Sequence, residues 1–427
     1  MTVNGKPIAT FDYLYFFYMV ILMAYLTPET RVFNGGFVSR PIAFAIPLVL
    51  TIIMSTKHGV SFSNRKFFAL ISGFVIWSII QIVSKDEYDA KSISLYVAIV
   101  YVFFSSYIHV NVYKEQLFEL YEHFMVLICK ITFPLWVISN LASSTFASFF
   151  LNLPKTGYGN HLLYLYNWMN PALGQVEGSL LRNAGCSWEP GRFGIMICLA
   201  IMINLSYNGL TFKGNKKLIW LLLALLSTLS TTAYLALFVI FVMFYLKRID
   251  IGKIIGFFII AVIGFYATSN IRFLGDKLSE HLNLEIMVEN IENSWQWTEE
   301  NFAGERAYAM DRLPSAYYEW VNFKHDPVLG YGCDRDKCYF YQNYTKSIDF
   351  TGGLVTNFAK YGLVLGFFFY LCLWKSSKKI CLTLDQPHPY ILFVLYLLML
   401  FSYPLMEFAI FSAIWFYDLM LNVNYEY

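Results

Sequence analysis

The chain is 427 residues long; 57% of them are apolar, 19% aromatic and 14% charged, and the formal net charge is +2. Soluble domains carry roughly 25% charged and 45–50% apolar residues, so this composition excludes a soluble enzyme, a disordered chain and a fibrous or coiled-coil protein. The small net charge, without a basic stripe, argues against nucleic-acid binding and leaves a polytopic membrane protein.

A bilayer crossing takes roughly 20 residues. In chain order, spans are predicted near 11–27, 41–55, 67–83, 93–110, 117–141, 193–205, 254–269, 350–374, 390–401 and 404–420. The first starts late and is followed by no small-residue cleavage site, so it reads as a retained helix and not as a signal peptide. A further apolar run, 218–246, has 29 residues with a cationic cluster at each end. It is short for two crossings and long for one. The expected fold is an all-α polytopic membrane protein of about 11–12 transmembrane helices, including a short broken or re-entrant pair at 218–246. The expected organisation is N-terminal membrane helices (1–141), a first large outer loop (142–192), membrane helices with the broken pair (193–269), a second, mainly helical outer loop (270–349) and C-terminal membrane helices (350–427).

Orientation follows from Lys and Arg in the short loops. Lys57, Arg65, Lys66, Lys114, Lys213, Lys216, Lys217, Lys247, Arg248, Lys253, Lys375, Lys378 and Lys379 all fall on the cytoplasmic side if the N-terminus does. The two large loops are then periplasmic, and 218–246 has to fold back on itself. Its bend would be Ser227, Thr228, Ser230, Thr231 and Thr232, a candidate floor for an outward-opening site, because irregular backbone at membrane depth survives only where protein or a wet cavity surrounds it. The competing reading, one long tilted helix, inverts everything downstream.

Two outer motifs carry chemistry. Arg182-Asn-Ala-Gly185-Cys-Ser-Trp-Glu189-Pro190-Gly191-Arg192 runs into the span beginning at Phe193. Pro190 suits a first helical turn, so Glu189 reads either as a capping acid favoured by the helix dipole or as a general base at a cavity mouth. Arg182 and Arg192 beside it suit an anion, since a guanidinium binds phosphate oxygens bidentately and stays charged in low dielectric. The second motif runs from Arg312 through Trp320 to His325-Asp-Pro327-Val-Leu-Gly330-Tyr331-Gly332, read as a helix stopped by Asp-Pro and then a turn. It is followed by a polar span entry, Ser347-Ile-Asp-Phe-Thr351-Gly-Gly-Leu-Val-Thr-Asn-Phe-Ala-Lys360-Tyr-Gly362. The many outer Trp and Tyr side chains suit sugar faces and headgroup anchoring equally.

Both motifs resemble those of the O-antigen polymerase and O-antigen ligase superfamily. Its members carry an Arg…Gly…Glu-Pro stretch entering a helix, an Arg-plus-Trp helix ending in His-Pro-x-x-Gly-x-Gly, and a span entry ending in Gly-Leu-x-Gly. Here the turn is His325-Asp-Pro327 and the ending Gly362-Leu-Val-Leu-Gly366, each one residue longer, and Ser227–Thr232 resembles the family's Ser/Thr-rich helix break. The resemblance covers roughly the second half of the chain. Ligases carry a His-Asn where this chain has Thr351-Gly352, and that departure favours a polymerase.

The resemblance implies a GT-C-like membrane glycosyltransferase of the bacterial inner membrane, with an active site facing the periplasm. It would polymerise lipid-linked repeat units into O-antigen-type polysaccharide, without metal or other cofactor. Donor and acceptor would both be polyprenyl-diphosphate-linked oligosaccharides, and a chain-length-regulating co-polymerase is the expected partner. Glu189, then His325, are the expected bases. Arg312, Arg182, Arg192, Arg272 and Lys360 are expected at the diphosphate, and Trp320 and Tyr331 at the glycan. A ligase acting on lipid A core and a lipid-linked glycan flippase are the alternatives; no internal repeat supports the flippase.

Weaker signals complete the reading. Lys130, inside a span, is expected to pair with Glu407 or Glu122. Asp334-Arg-Asp336 reads as a charged turn in preference to a metal site, because Arg335 and Lys337 interleave its acids. Cys333 and Cys338 are close enough in sequence for a disulfide, with Cys186 a competing partner.

Overall fold

The computed structural model describes residues 2–3, 6–7, 10, 12–16, 40–141, 143–153, 155–156, 159–162, 165–169, 176–177, 180–187, 189–245, 308–309, 312–343, 348–350, 352–386 and 388–422. The chain is an all-α polytopic membrane protein. Among the described residues its helices include α1 (Arg40–Lys57), α2 (Arg65–Lys85), α3 (Ala90–Tyr113), α4 (Gln116–Leu141), α5 (Ser143–Leu151), α6 (Pro190–Asn208), α7 (Lys216–Ser227), α8 (Thr231–Tyr245), α9 (Arg312–His325), α10 (Tyr339–Asn343), α11 (Thr356–Thr383), α12 (Ile391–Leu400), α13 (Ala409–Trp415) and α14 (Tyr417–Met420). Among the described residues, α2, α3, α4, α6 and α11 are long and apolar enough to cross a membrane. Most of the predicted spans at 11–27 and all of 254–269 lie outside the described residues.

Local chemistry sets the helix ends. Asn64 accepts from the backbone N–H groups of Lys66 and Phe67 and opens α2, which Asp86 closes in a left-handed conformation. Asp89 caps α3 through Ser92, and Pro190 occupies the first turn of α6. Every residue of α6 from Pro190 to Leu205 is buried. A helix apolar all round has to be surrounded, and α4, α7 and α8 pack about it.

Ion pairs and hydrogen bonds sort the loops into two faces. On one, Lys85 pairs with Asp326, Lys91 with Asp334 and Asp336, and Glu189 with Arg312. On the other, Glu122 binds Lys217 and Asn204, Lys379 pairs with Asp418, and Gln386 bonds Ser206. The described parts of the two polar segments therefore share one face, and the loops carrying Lys217 and Lys379 lie at the opposite one. Helix α7 runs antiparallel to α6, from the Asn215–Asn204 hydrogen bond at 2.7 Å to the Asn183–Ser227 bond at 2.8 Å. The chain then breaks at 228–230, with Leu229 at φ 49°, and α8 returns along α6 and α12. The described arms are 12 and 15 residues long, each short of the roughly 20 of a full crossing. A single long helix is not formed.

Several expected boundaries change. The span at 350–374 is α11, which starts at Thr356 and continues through Lys375, Lys378 and Lys379 to Thr383. The span at 390–401 is a helix of only 10 residues. The stretch 404–420 is a 3-10 turn, Leu405–Glu407, followed by the short α13 and α14, because Pro404 supplies no N–H and Phe408 is extended. The first outer loop holds short antiparallel strands, including Gly159–Leu162 against Tyr166–Met169. Lys130 is exposed, while Glu407 pairs with Lys360 and Glu122 with Lys217. The expected ion pair of Lys130 is corrected accordingly. Cys186, Cys333 and Cys338 are buried free thiols, so the expected disulfide is absent. Asp334 and Asp336 both bind Lys91, as a charged turn does.

Helix α11 is broken at Gly362, whose φ of 75° and ψ of 177° lie in a region essentially confined to glycine. The Gly-Tyr-Gly turn fills the break. Tyr331 N–H donates to the Ala359 carbonyl at 2.8 Å, Gly332 N–H to Lys360 at 3.0 Å, and Leu363 N–H to Pro327 at 2.8 Å. Gln81 of α2 donates to the Leu329 and Lys360 carbonyls. The motif around Gly330–Gly332 is therefore a plug for an interrupted membrane helix.

Two predictions follow from this frame. A methyl group at Gly362 would overlap the Val328 carbonyl, whereas one at Gly73 meets nothing within 4 Å. Gly362→Ala should cost about 2 kcal/mol or more, and Gly73→Ala should be neutral or gain about 0.5–1 kcal/mol, read by thermal unfolding in detergent. Glu87, in the turn after α2, is buried, and that burial lifts its carboxyl to about 7; the Tyr96 hydroxyl opposes the rise and Asp334 adds to it. The folded chain then holds this proton more tightly than the unfolded chain, so stability falls as pH rises from about 4.5 towards 7. Wild-type protein should lose more thermal stability between pH 5 and 8 than Glu87→Gln does; equal losses would contradict the assignment.

Candidate functional site

The break between α7 and α8 sits under the N-terminus of α6, and its hydroxyls are largely committed to the backbone it interrupts. Ser227 and Thr228 donate back to the Ala224 and Leu225 carbonyls, each at 2.7 Å. Ser230 accepts from the Ala233 N–H at 3.4 Å, and Thr232 accepts from Ser402 at 3.0 Å. These bonds replace the water that an interrupted helix would otherwise need. They also tie the segment after α12 to the floor.

Above that floor lies a charged cluster. Glu189 stands at the helix-capping position of α6 but makes no side-chain cap bond. Its Oε1 instead accepts from Arg312 at 2.7 Å, with the two side chains 17% and 23% exposed. The same Arg312 nitrogen donates to the Tyr403 hydroxyl at 2.9 Å, and the guanidinium lies 4.7 Å from the centre of the Tyr403 ring. Tyr403 also lies close enough to Glu189 for the two to act on each other electrostatically. A guanidinium only donates and an ionised carboxylate only accepts. Arg312 therefore donates to both partners, and the phenol, which accepts from Arg312, has its own O–H to offer. The capping role weighed for Glu189 is replaced by this three-membered contact.

The other expected arginines differ in access. Arg182 is half-buried, and its Nε donates to the Thr228 carbonyl at 3.4 Å. It lies close enough to Tyr403 to act on the phenol electrostatically. Arg192, one helical turn inside α6, is 1% exposed and stacks on Phe408 with 3.7 Å from Cζ to the ring centre. Its charge is held inside the protein, against that ring. Arg272 lies outside the described residues.

Four expected site residues are not part of this contact. His325 ends α9, 13 residues after Arg312, so roughly 20 Å along the helix axis. It is exposed and stacks on Tyr339. Lys360 is 4% exposed and donates to Glu407 at 2.6 Å, so its ammonium is held inside the protein. Tyr331 is 4% exposed, with its hydroxyl on Glu319 at 3.3 Å, which removes its ring from an open surface. Trp320 is exposed, two turns along α9 from Arg312, and touches Phe323.

Beneath α9 is a group the sequence reading passed over. Glu319 is fully buried and accepts from Tyr331, Thr356 and Asn322. Burial raises its carboxyl, and Arg335 and Lys360 pull it back. Glu319 is seven residues after Arg312, on the same helix face, and fastens that face to the start of α11. Tyr403 was also missed. Its one sequence signal is the Ser402-Tyr403-Pro404 interruption between two apolar runs, since Pro404 keeps Tyr403 from continuing a helix.

Residues 218–359 match the family model described as O-antigen ligase, which is consistent with the O-antigen polymerase and ligase superfamily. The match begins in α7, ends in α11 and includes the helix break and Arg312, while Glu189 and Tyr403 lie outside it. It indicates ligase- or polymerase-type activity. No curated protein matches the chain.

The Lys360–Glu407 pair yields a test of its role. Leaving one buried charge without its partner costs about 3–5 kcal/mol, whereas an apolar pair in its place is close to neutral. Lys360→Met should sharply lower thermal stability in detergent, and adding Glu407→Met should recover most of the loss. A fully stable Lys360→Met variant would mean that the pair does not hold the helices together.

Proposed function

We propose that this chain is a polysaccharide polymerase of the bacterial inner membrane, with its site facing the periplasm. In this reading it transfers a growing glycan from one polyprenyl diphosphate onto the non-reducing end of a second lipid-linked repeat unit. The observation that carries the reading is the Glu189–Arg312–Tyr403 contact, with Arg182 at its side, at the polar end of a surrounded membrane helix. One base candidate and two accessible guanidinium groups thus meet where a lipid-borne substrate can present its headgroup.

The chemistry is a single displacement. The acceptor hydroxyl oxygen bonds to the anomeric carbon, and its proton passes to Glu189. The bond from that carbon to the diphosphate oxygen breaks, and the electron pair leaves with the diphosphate. Positive charge grows on the sugar and negative charge on the leaving group. Guanidinium groups already in place stabilise the departing charge without reorganisation, and their forked geometry matches phosphate oxygens better than an ammonium does. Arg312 and Arg182 take this role. Arg192, stacked beneath, adds fixed positive charge from the protein interior. Trp320, exposed along α9, offers a flat apolar face to the glycan. Thr351-Gly352, in place of the ligase His-Asn, supports a polymerase over a ligase. A chain-length-regulating co-polymerase is the expected partner.

The test separates the alternatives. A strain lacking the chain should accumulate lipid-linked glycan of one repeat unit on the periplasmic side. Full-length polymer left on its lipid carrier, with uncapped lipid A core, would indicate a ligase, and intermediate trapped on the cytoplasmic side a flippase. Arg312→Ala and Glu189→Gln should each cut polymerisation by about 100-fold or more, with protein levels in the membrane unchanged. Wild-type chain lengths in Arg312→Ala would refute the assignment.

A further inference from the structure

Arg312 faces a conflict in the reading just given. Nη2 of Arg312 already donates to Glu189 and to Tyr403, so a diphosphate taken in a forked grip that uses this nitrogen competes with them. If Arg312 turns to the leaving group, Glu189 loses the contact that holds it, because it has no helix-capping bond to fall back on. A base must stay within hydrogen-bond reach of the hydroxyl it deprotonates.

Resting on that reading, we propose that Tyr403 is a positioning residue: its hydroxyl holds Glu189 in place when Arg312 moves onto the diphosphate. The phenol is suited to this task because it is itself immobile. It is 5% exposed and sits at the end of α12, where its own N–H and that of Ser402 both bond the Met399 carbonyl. Ser402 is tied to Thr232 on the other side of the helix break. The Tyr403 carbonyl lies so close to the Gly353 α-carbon that a Cβ there would overlap it, and Gly353 N–H is bonded to the Leu400 carbonyl at 2.8 Å. Three separate segments thus fix the phenol. The contact crowds the start of α6 as well: a Cβ on Gly191 would stand 3.2 Å from the Tyr403 hydroxyl and 3.6 Å from Glu189 Oε1. The hydrogen-bond directions allow the exchange. When the arginine leaves, the phenol loses a donor to its oxygen and can turn its own O–H onto the adjacent carboxylate.

The experiment uses the full chain in membranes, with lipid-linked single repeat units extracted from the deletion strain as substrate. Release of polyprenyl diphosphate is followed per folded molecule. Tyr403→Phe keeps the ring against Arg312 and removes only the hydroxyl. We expect kcat to fall about tenfold with the donor KM within twofold of wild type. On a Glu189→Gln background, followed through residual turnover, the same change should cost nothing further, because the group it positions is gone. An effect that does not act through Glu189 would instead multiply on both backgrounds, and that result overturns the proposal, as does wild-type kcat in Tyr403→Phe or a loss confined to KM. If Glu189→Gln itself turns over normally, the base assignment has failed and this inference fails with it. If Glu189→Gln is inactive while Tyr403→Phe is normal, only the role of Tyr403 is lost.

Discussion

A helix interrupted inside a bilayer exposes backbone N–H and C=O groups that no water can satisfy, and each unsatisfied group costs several kcal/mol. This chain interrupts its apolar helical framework twice, at 228–230 and at Gly362. The surrounding architecture follows from how those two breaks are closed. The first is closed by its own Ser and Thr hydroxyls and by Asn183. The second is closed by the backbone of the Gly330–Gly332 turn and by Gln81. A polar segment is drawn down onto the membrane helices at each break, and the charged cluster lies over the first.

The cluster gains rigidity from this arrangement. Arg312 opens α9, which is held to α11 through buried Glu319, and the turn after α9 plugs the Gly362 break. Glu189 opens α6, the helix around which α4, α7 and α8 pack. Tyr403 ends α12 and is tied to the first break through Ser402 and Thr232. Three side chains from distant parts of the sequence therefore meet on supports that cannot shift independently. Pre-organised charge acts most strongly when its supports do not reorganise during the reaction.

Charge at depth is spent in two ways. Lys360 and Glu407 neutralise each other inside the protein, with 5% and 8% of their side chains exposed. The Glu189–Arg312 pair is more open, at 17% and 23%. A closed pair is costly to separate, whereas a half-open one can exchange partners with an incoming anion. That contrast in exposure separates the closed pair from the one proposed to act on substrate more clearly than residue type does, since both join a carboxylate to a long basic side chain.

The membrane class, the broken helix at 228–230 and the chemical interest of Glu189 and Arg312 were legible in the linear chain. Hydropathy, helix-breaking residues and Glu-Pro or Asp-Pro punctuation are local properties, written over a few turns. Which charge meets which was not legible. Arg312 finds Glu189 across 123 residues and Tyr403 across 91, and nothing in the spacing of either motif specifies those distances. The same limit misassigned Lys130, whose expected partners went to Lys360 and Lys217, and it hid Tyr403, which looks in sequence like one more aromatic at a span boundary. Only the packing of α6, α9 and α12 decided these pairings, because a buried charge is stabilised by whatever the fold brings within about 3 Å and not by its neighbours along the chain.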